Sequence, residues 1–218
     1  MSRPMCKPIR FLFLIGVIAW SIGCFALRPS VPGRDDEVVS SLSGLLVMEC
    51  IDSGSSICAF DLPAGRQVRV VTPDCQGSCS EPSLSPAGQE LLFTQGSSAG
   101  VDIWQVGTDG QGLRPFIQGE AAEALPIWSP DGKLIAYQIM EDPYTLDTPD
   151  GPFQLYRHSS LHVAGPNGTA DRRLTRRDGD VLTYDWAPGS DRLVISACLE
   201  DLNQDGIIGD KDPERLYV

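Results

Sequence analysis

Three segments of this chain restate one pattern, and that repetition constrains the fold more than any other feature. "EPSLSPAGQELLFT" (81–94), "ALPIWSPDGKLIAYQ" (124–138) and "TYDWAPGSDRLVIS" (183–196) share one order of parts. Each runs from a large apolar residue (Leu84, Trp128, Trp186) through a small residue and a proline into a turn, and then into an apolar strand. Glycine and Asp-Gly in such turns supply the positive φ that tight hairpins need. A second element recurs downstream, in "IWQVGTDGQGLRPFI" from Ile103 and "LHVAGPNGTADRRLT" from Leu161, with Gly107 matching Gly165 and Gly110 matching Gly168. The Ser-Pro elements are offset by 44 residues and these later elements by 58. The 14 extra residues fit an insertion within "MEDPYTLDTPDGPF" (140–153), and an insertion that leaves the pattern intact on both sides is expected in a loop.

With 22 Gly, 17 Pro and no long helical periodicity, the chain is expected to be all-β, built from short strands and turns. A unit of roughly 40–60 residues cannot bury both faces of its own small sheet, so copies must stack on one another, which is the logic of a radial β-propeller. "WSPDGKLIAY" followed by a strand and then by "GPNGTADRRLT" resembles the WD-like repeat of TolB-type β-propellers. The resemblance spans 43–218, with "GLLVMEC…ICAFDLPAGRQVRVVT" as a degenerate first copy. It implies propeller blades, about three and a half repeats, with "RLYV" (215–218) aligned to "SLHV" (160–163) so that the last blade is incomplete. The family's best-known member carries an α/β domain ahead of its propeller, and no counterpart is seen in this sequence. Members mostly bind other proteins or surfaces through loops on the propeller faces, so the resemblance implies a binding module; fold alone does not assign function.

The N-terminus reads as an export signal. Arg3, Lys7 and Arg10 precede the uncharged run 11–27, "FLFLIGVIAWSIGCFAL". Its 17 residues, at ~1.5 Å each against a core of ~30 Å, only just suffice to span a bilayer. Two fates stand open for 1–27: a lipoprotein signal with lipidation at Cys24, because "SIGC" resembles a lipobox, or an uncleaved membrane anchor with its basic end inside. Residues 28–42 form a Pro-bearing polar linker. Both fates place the remainder in the cell envelope outside the cytoplasm. The first 28 residues hold four of the 17 bases, so the rest sets all 29 acids against the remaining 13. That surface repels phosphate backbones, so nucleic acid is not an expected partner. Cysteine usage agrees with export. Cys50 and Cys58 flank a hairpin-like turn, and Cys75 and Cys79 share a short loop; each pair is a candidate disulfide, while Cys198 reads as a buried thiol.

"DLNQDGIIGDKD" (201–212) has the layout of a calcium loop. Asp201, Asn203 and Asp205 each present a side-chain oxygen, Gly206 permits the sharp turn, Ile207 offers its carbonyl and Asp212 closes the site, with Asp210 as a substitute in a shorter loop. Aspartate at the closing position resembles dockerin loops. The flanks are strand-like, so the loop is expected as a hairpin insert holding a structural Ca2+.

Enzyme signals are thin. "GSSAG" (96–100) matches G-x-S-x-G, but a nucleophile elbow needs a helix after the serine, and "VDIWQV" is a strand, so Ser98 reads as a hairpin tip. His158 and His162 lie four apart on a strand, and His162 stands where Trp104 stands in the preceding copy, a packing position. Glu141 and Asp142 are expected in a loop. No catalytic or cofactor-binding residue is predicted. The expected function is an exported, envelope-anchored, non-catalytic propeller that binds an unknown protein or cell-surface ligand. The alternative is the propeller portion of an exported prolyl-oligopeptidase-like hydrolase whose catalytic domain is absent from this chain.

Overall fold

The computed structural model describes residues 44–218 apart from 52–54, 63–65, 73–74, 76, 98–99, 118, 120, 150, 207 and 209–210. The expected leader (1–27), the linker (28–42) and Cys24 therefore lie outside the described residues. Every regular element among the described residues is a strand. The strands fall into four successive antiparallel groups. The first comprises β1 (Gly44–Ile51), β2 (Ser55–Leu62) and β3 (Arg66–Val70). The second comprises β4 (Ser78–Leu84), β5 (Glu90–Ser97), β6 (Gly100–Gly107) and β7 (Arg114–Ile117). Strand pairing joins it to the first through one parallel pair, Ser55 with Ser78. The third is a four-stranded sheet of β8 (Ala122–Trp128), β9 (Ile135–Thr148), β10 (Gly151–Ala164) and β11 (Arg172–Arg173). The fourth holds β12 (Asp180–Trp186), β13 (Leu193–Cys198) and β14 (Arg215–Tyr217). These groups are propeller blades.

The repeated turn has the same wiring three times. Ser85, Ser129 and Ala187 each donate a backbone N–H across the turn, to the carbonyls of Glu90, Leu134 and Arg192, all at 2.8 Å. Gly88, Gly132 and Ser190 each close the inner bond, and each has a positive φ of 60–70°. Ser190 holds this conformation without being glycine, and its hydroxyl accepts the Asp131 amide of the preceding blade at 3.0 Å. Strand alternation then builds the layers between blades. Leu91 and Phe93 point towards the first blade, where they meet Ile57, Ala59 and Val71. Leu92 points the other way, onto Trp128, Ile135 and Tyr137. Ala136 turns towards the fourth blade and packs with Val181, Tyr184 and Leu193. The second and third sheets thus bury apolar side chains on both faces, as stacked blades require.

Polar contacts also join successive blades. The Leu125 amide donates to Thr94 Oγ1 at 3.0 Å, Trp186 Nε1 donates to the Ile127 carbonyl at 3.2 Å, and the Tyr184 hydroxyl donates to the Leu125 carbonyl. Bulges interrupt β4 between Ser80 and Ser83 and β8 between Ala124 and Ile127, with Glu81 and Leu125 at positive φ. Those bulges turn the backbone groups of β4 and β8 towards the neighbouring blade.

The insertion is not a loop. Residues 140–148 and 151–159 continue β9 and β10 as one hairpin, paired from Met140–Ser159 out to Thr148–Gly151. The offset arithmetic located the extra residues correctly but not their form, because "YTLDTPDGPFQLY" alternates around a Pro-Asp-Gly turn and can extend the ladder it interrupts. Disulfides join Cys50 to Cys58 across β1 and β2, and Cys75 to Cys79, with Cα separations of 5.9 and 6.1 Å. Cys198 is buried and disulfide-bonded, which corrects its reading as a free thiol. Among the described residues no helix is long and apolar enough to cross a membrane.

Candidate functional site

Where the long hairpin leaves the third blade it overhangs the second, and a cleft of about 590 Å³ opens between them. Val101 and Asp102 at the start of β6, Gly119 in the connection from β7 to β8, Ala122 at the start of β8, and Met140, Glu141, Asp142 and Tyr156 at the base of the hairpin line it. Two of its carboxylates carry their own cations. Arg177 Nε lies 3.2 Å from Glu141 Oε2, and Arg157 Nε lies 3.2 Å from Asp142 Oδ2. Arg157 also stacks over the Tyr144 ring at 4.4 Å. Asp102 and Glu123 have no ion pair among the described residues. Burial raises the Asp102 carboxyl above its ordinary range. Glu123 is 3% exposed, and its Oε2 has no hydrogen-bond partner. Burial, and then the nearby Asp102 charge, push its carboxyl up to about 7. Its Oε1 lies 2.3 Å from where a Cβ on Gly119 would stand, so the glycine is needed for the carboxylate to sit against the cleft wall.

Glu141 and Asp142 were expected in a loop and instead occupy strand positions at this cleft. Neither Asp102 nor Glu123 could be singled out from sequence. They come from different blades, and only the packing of β8 against β6 makes them neighbours.

A second polar cluster lies beside the cleft. Asp171 accepts from the Tyr137 hydroxyl at 2.6 Å and lies 3.0 Å from His162 Nδ1; His162 Nε2 lies 3.3 Å from Ser160 Oγ. The order of groups imitates a hydrolase triad, and the geometry argues against that chemistry. Ser160 is fully buried, and its single hydroxyl proton goes to Glu141 Oε1 at 2.9 Å, so it cannot also be directed to the histidine. His162 packs on Tyr137 with ring centroids 5.5 Å apart, in the place that Trp104 fills opposite Phe93 in the preceding blade. Ser98 itself lies outside the described residues. The segments around it are strands β5 and β6, which pair from Ser97–Gly100 onwards, and no helix follows.

The predicted calcium loop joins β13 to β14. The Asp205 amide donates to Asp201 Oδ1 at 3.2 Å and to Asn203 Oδ1 at 2.8 Å, which gathers those oxygens at one point. The Gly206 amide donates to Asp201 Oδ2 at 2.8 Å, with φ +88° at the turn. Asp212 is fully buried, and its Oδ1 accepts the amides of Leu202 and Asn203 at 2.8 and 3.2 Å, tying the two ends of the loop together. Lys211 Nζ lies 3.8 Å from Asp205 Oδ2. Among the described residues no three His, Cys, Asp or Glu side chains converge as a metal-holding group. Ile207 and Asp210 lie outside the described residues. An all-oxygen set of three carboxylates and one amide fits a hard cation by donor chemistry.

No family model matches the chain. Dipeptidyl-peptidase 5 of Porphyromonas endodontalis is 30% identical over 128 residues, which is 56% of this chain and 16% of that protein. TolB from Acinetobacter baumannii superposes with a TM-score of 0.51 at 16% identity, covering 78% of this chain and 44% of TolB. Dipeptidyl peptidase 4 from Porphyromonas gingivalis superposes with a TM-score of 0.50 at 14% identity, covering 71% of this chain and 27% of that one. The chain therefore spans less than half the length of each of these relatives. Fold and repeat together define a β-propeller. Its blades share the fold of the TolB propeller.

Proposed function

We propose that this chain is a non-catalytic propeller module that docks a protein or a surface ligand on the face bearing the extended hairpin, outside the cytoplasm and held at the envelope by its N-terminus. The observation that carries this reading is the hairpin itself. An insertion has been built into the blade as paired strand, so it projects a fixed surface beside a cleft, and binding functions concentrate on such projecting elements of a rigid scaffold. Its outer surface exposes Leu146 and carries Asp142, Asp147 and Arg157, a mixed apolar and charged face suited to a protein partner. The likeness to TolB supports binding as the role. The loop 201–212 is proposed to hold a structural Ca2+ through Asp201, Asn203, Asp205, Asp212 and the Ile207 carbonyl, as dockerin-type loops do, fixing the connection between β13 and β14. Lipidation at Cys24 or retention of 1–27 as an anchor would hold the module at the membrane.

A second reading is favoured by the identity to dipeptidyl-peptidase 5: the chain is the propeller part of an exported peptidase. Photo-cross-linking in the native envelope tests the first. A photoreactive residue at Tyr156, on the hairpin, is expected to capture a discrete protein adduct, and one at Gln111, at the opposite end of the second blade, is not. Equal labelling from both positions, or none from Tyr156, would overturn it. Hydrolysis of dipeptidyl substrates by the native protein would favour the second.

A further inference from the structure

We infer that the cleft between the hairpin and the second blade is a socket for a lysine side chain presented by the partner protein. This rests on the reading of the hairpin face as a protein-docking face and names the group that face recognises. Three features of the cleft select the ligand. Its walls include Val101, Met140 and the Tyr156 ring, apolar surface that suits an alkyl stem. Its charged lining residues are all acids, Asp102, Glu141 and Asp142, beside the Gln154 amide and the Tyr156 hydroxyl, and Glu123 is buried behind the lining, close to Gly119 and Asp102.

The charges are also not balanced within the described residues. Arg177 and Arg157 answer Glu141 and Asp142, while Asp102 and Glu123 have no cation, and Glu123 keeps a buried Oε2 without any partner. An ionised carboxyl buried without a cation is costly, so Glu123 holds its proton more tightly than a free glutamate, and a cation beside it would favour its ionised form. An ammonium is the better match than a guanidinium. A lysine ammonium is a compact point charge with three rotatable donors that can be shared between carboxylates from different strands, such as Asp102 and Glu123, whereas a guanidinium forks onto one carboxylate. The neighbouring Asp171 charge reaches Glu123 as well and adds to the same field.

The test uses the full chain and blocked pentapeptides with a central lysine, acetylated at the N-terminus and amidated at the C-terminus, followed by amide chemical-shift perturbation. Binding is expected to shift Gly100, Asp102, Ala122 and Met140. Acetylating the lysine side chain, or replacing it by arginine, is expected to weaken binding about tenfold or more. Asp102→Asn is isosteric, is expected to melt no lower than the parent, and is expected to weaken the lysine peptide about tenfold, while Asp109→Asn at the far end of the blade leaves it unchanged. Equal affinity for the acetyl-lysine peptide, equal affinity for a peptide whose only ammonium is its α-amino group, no effect of Asp102→Asn, or no binding at about 10 mM peptide would each overturn the assignment. A cross-linked partner captured from Tyr156 in any of those cases would leave the protein-docking reading standing and remove only the lysine socket.

Discussion

Replacing Glu81 by glutamine should stabilise the protein at alkaline pH and leave it unchanged in acid. Glu81 sits on the bulge of β4, half-buried, with its Oε2 accepting from Thr94 Oγ1 at 2.8 Å and its amide donating to Glu49 Oε1 at 2.8 Å. Burial raises its carboxyl from 4.5 to about 7, the Thr94 hydrogen bond pulls it down in part, and the Glu49 charge pushes it up again. The folded state therefore holds a proton that the unfolded chain gives up. Below about pH 4.5 both states are protonated and the residue costs nothing. As pH rises from about 4.5 to about 7 the folded form becomes progressively disfavoured, and above that the full penalty is present. A shift of that size amounts to about 3 kcal/mol at most, and contact with solvent reduces it to roughly 1–2 kcal/mol. Glutamine keeps an oxygen for Thr94 and removes the charge. With about 2–4 °C of melting temperature per kcal/mol in a chain of this size, the variant should melt roughly 2–8 °C above the parent at pH 8 and level with it near pH 4.5. Differential scanning calorimetry of both proteins across pH 4.5–8 decides the matter. A difference that does not change with pH, or that favours the parent at pH 8, would refute the reasoning about this carboxylate.

Two further outcomes follow from local geometry. Gly168→Ala puts a Cβ 2.8 Å from the Phe116 carbonyl oxygen at φ +76°, while Gly110→Ala at φ +81° meets its nearest atom at 3.4 Å. Both should lose about 1–2 kcal/mol for the left-handed backbone, and urea denaturation should show Gly168→Ala to be the worse of the two. If the 201–212 loop takes calcium with a Kd of ~10⁻⁴–10⁻³ M, calcium at about ten times Kd should add about 1.4 kcal/mol to stability. Calorimetric titration should then give heat that Asp201→Ala abolishes, and a folded protein with neither heat nor a shifted melt would rule the site out.

Much of the fold was legible because a propeller blade writes itself locally. Trp128 and Trp186, the Ser-Pro turns and the alternating strands after them each report one hairpin, and their spacing reports the stacking. Leu91, Leu92 and Phe93 read simply as apolar, which is right for a strand buried on both faces. The hairpin insertion was misread because a count of extra residues carries no geometry, although the alternation around Pro149-Asp150-Gly151 was in view. The cleft was not legible. Asp102 and Glu123 look like ordinary strand polar residues, and their meaning depends on which atoms another blade brings to them. Asp171 and His162 are nine residues apart, and their contact depends on the β10–β11 turn bringing β11 back beside β10. The spacing of the 201–212 loop was readable because its oxygen-bearing residues are close together in sequence.

The rigidity of the extended hairpin is what makes a docking face out of a blade, and amide hydrogen exchange across residues 140–158 measures it most directly. Strand pairing from Met140–Ser159 to Thr148–Gly151 predicts slow exchange at ladder amides such as Leu146 and Leu155, with protection continuing from the blade into the arm. Exchange of the whole 141–157 segment at unprotected rates, while Ile135–Gln138 stay protected, would show the insertion to be a loose loop and would contradict the account.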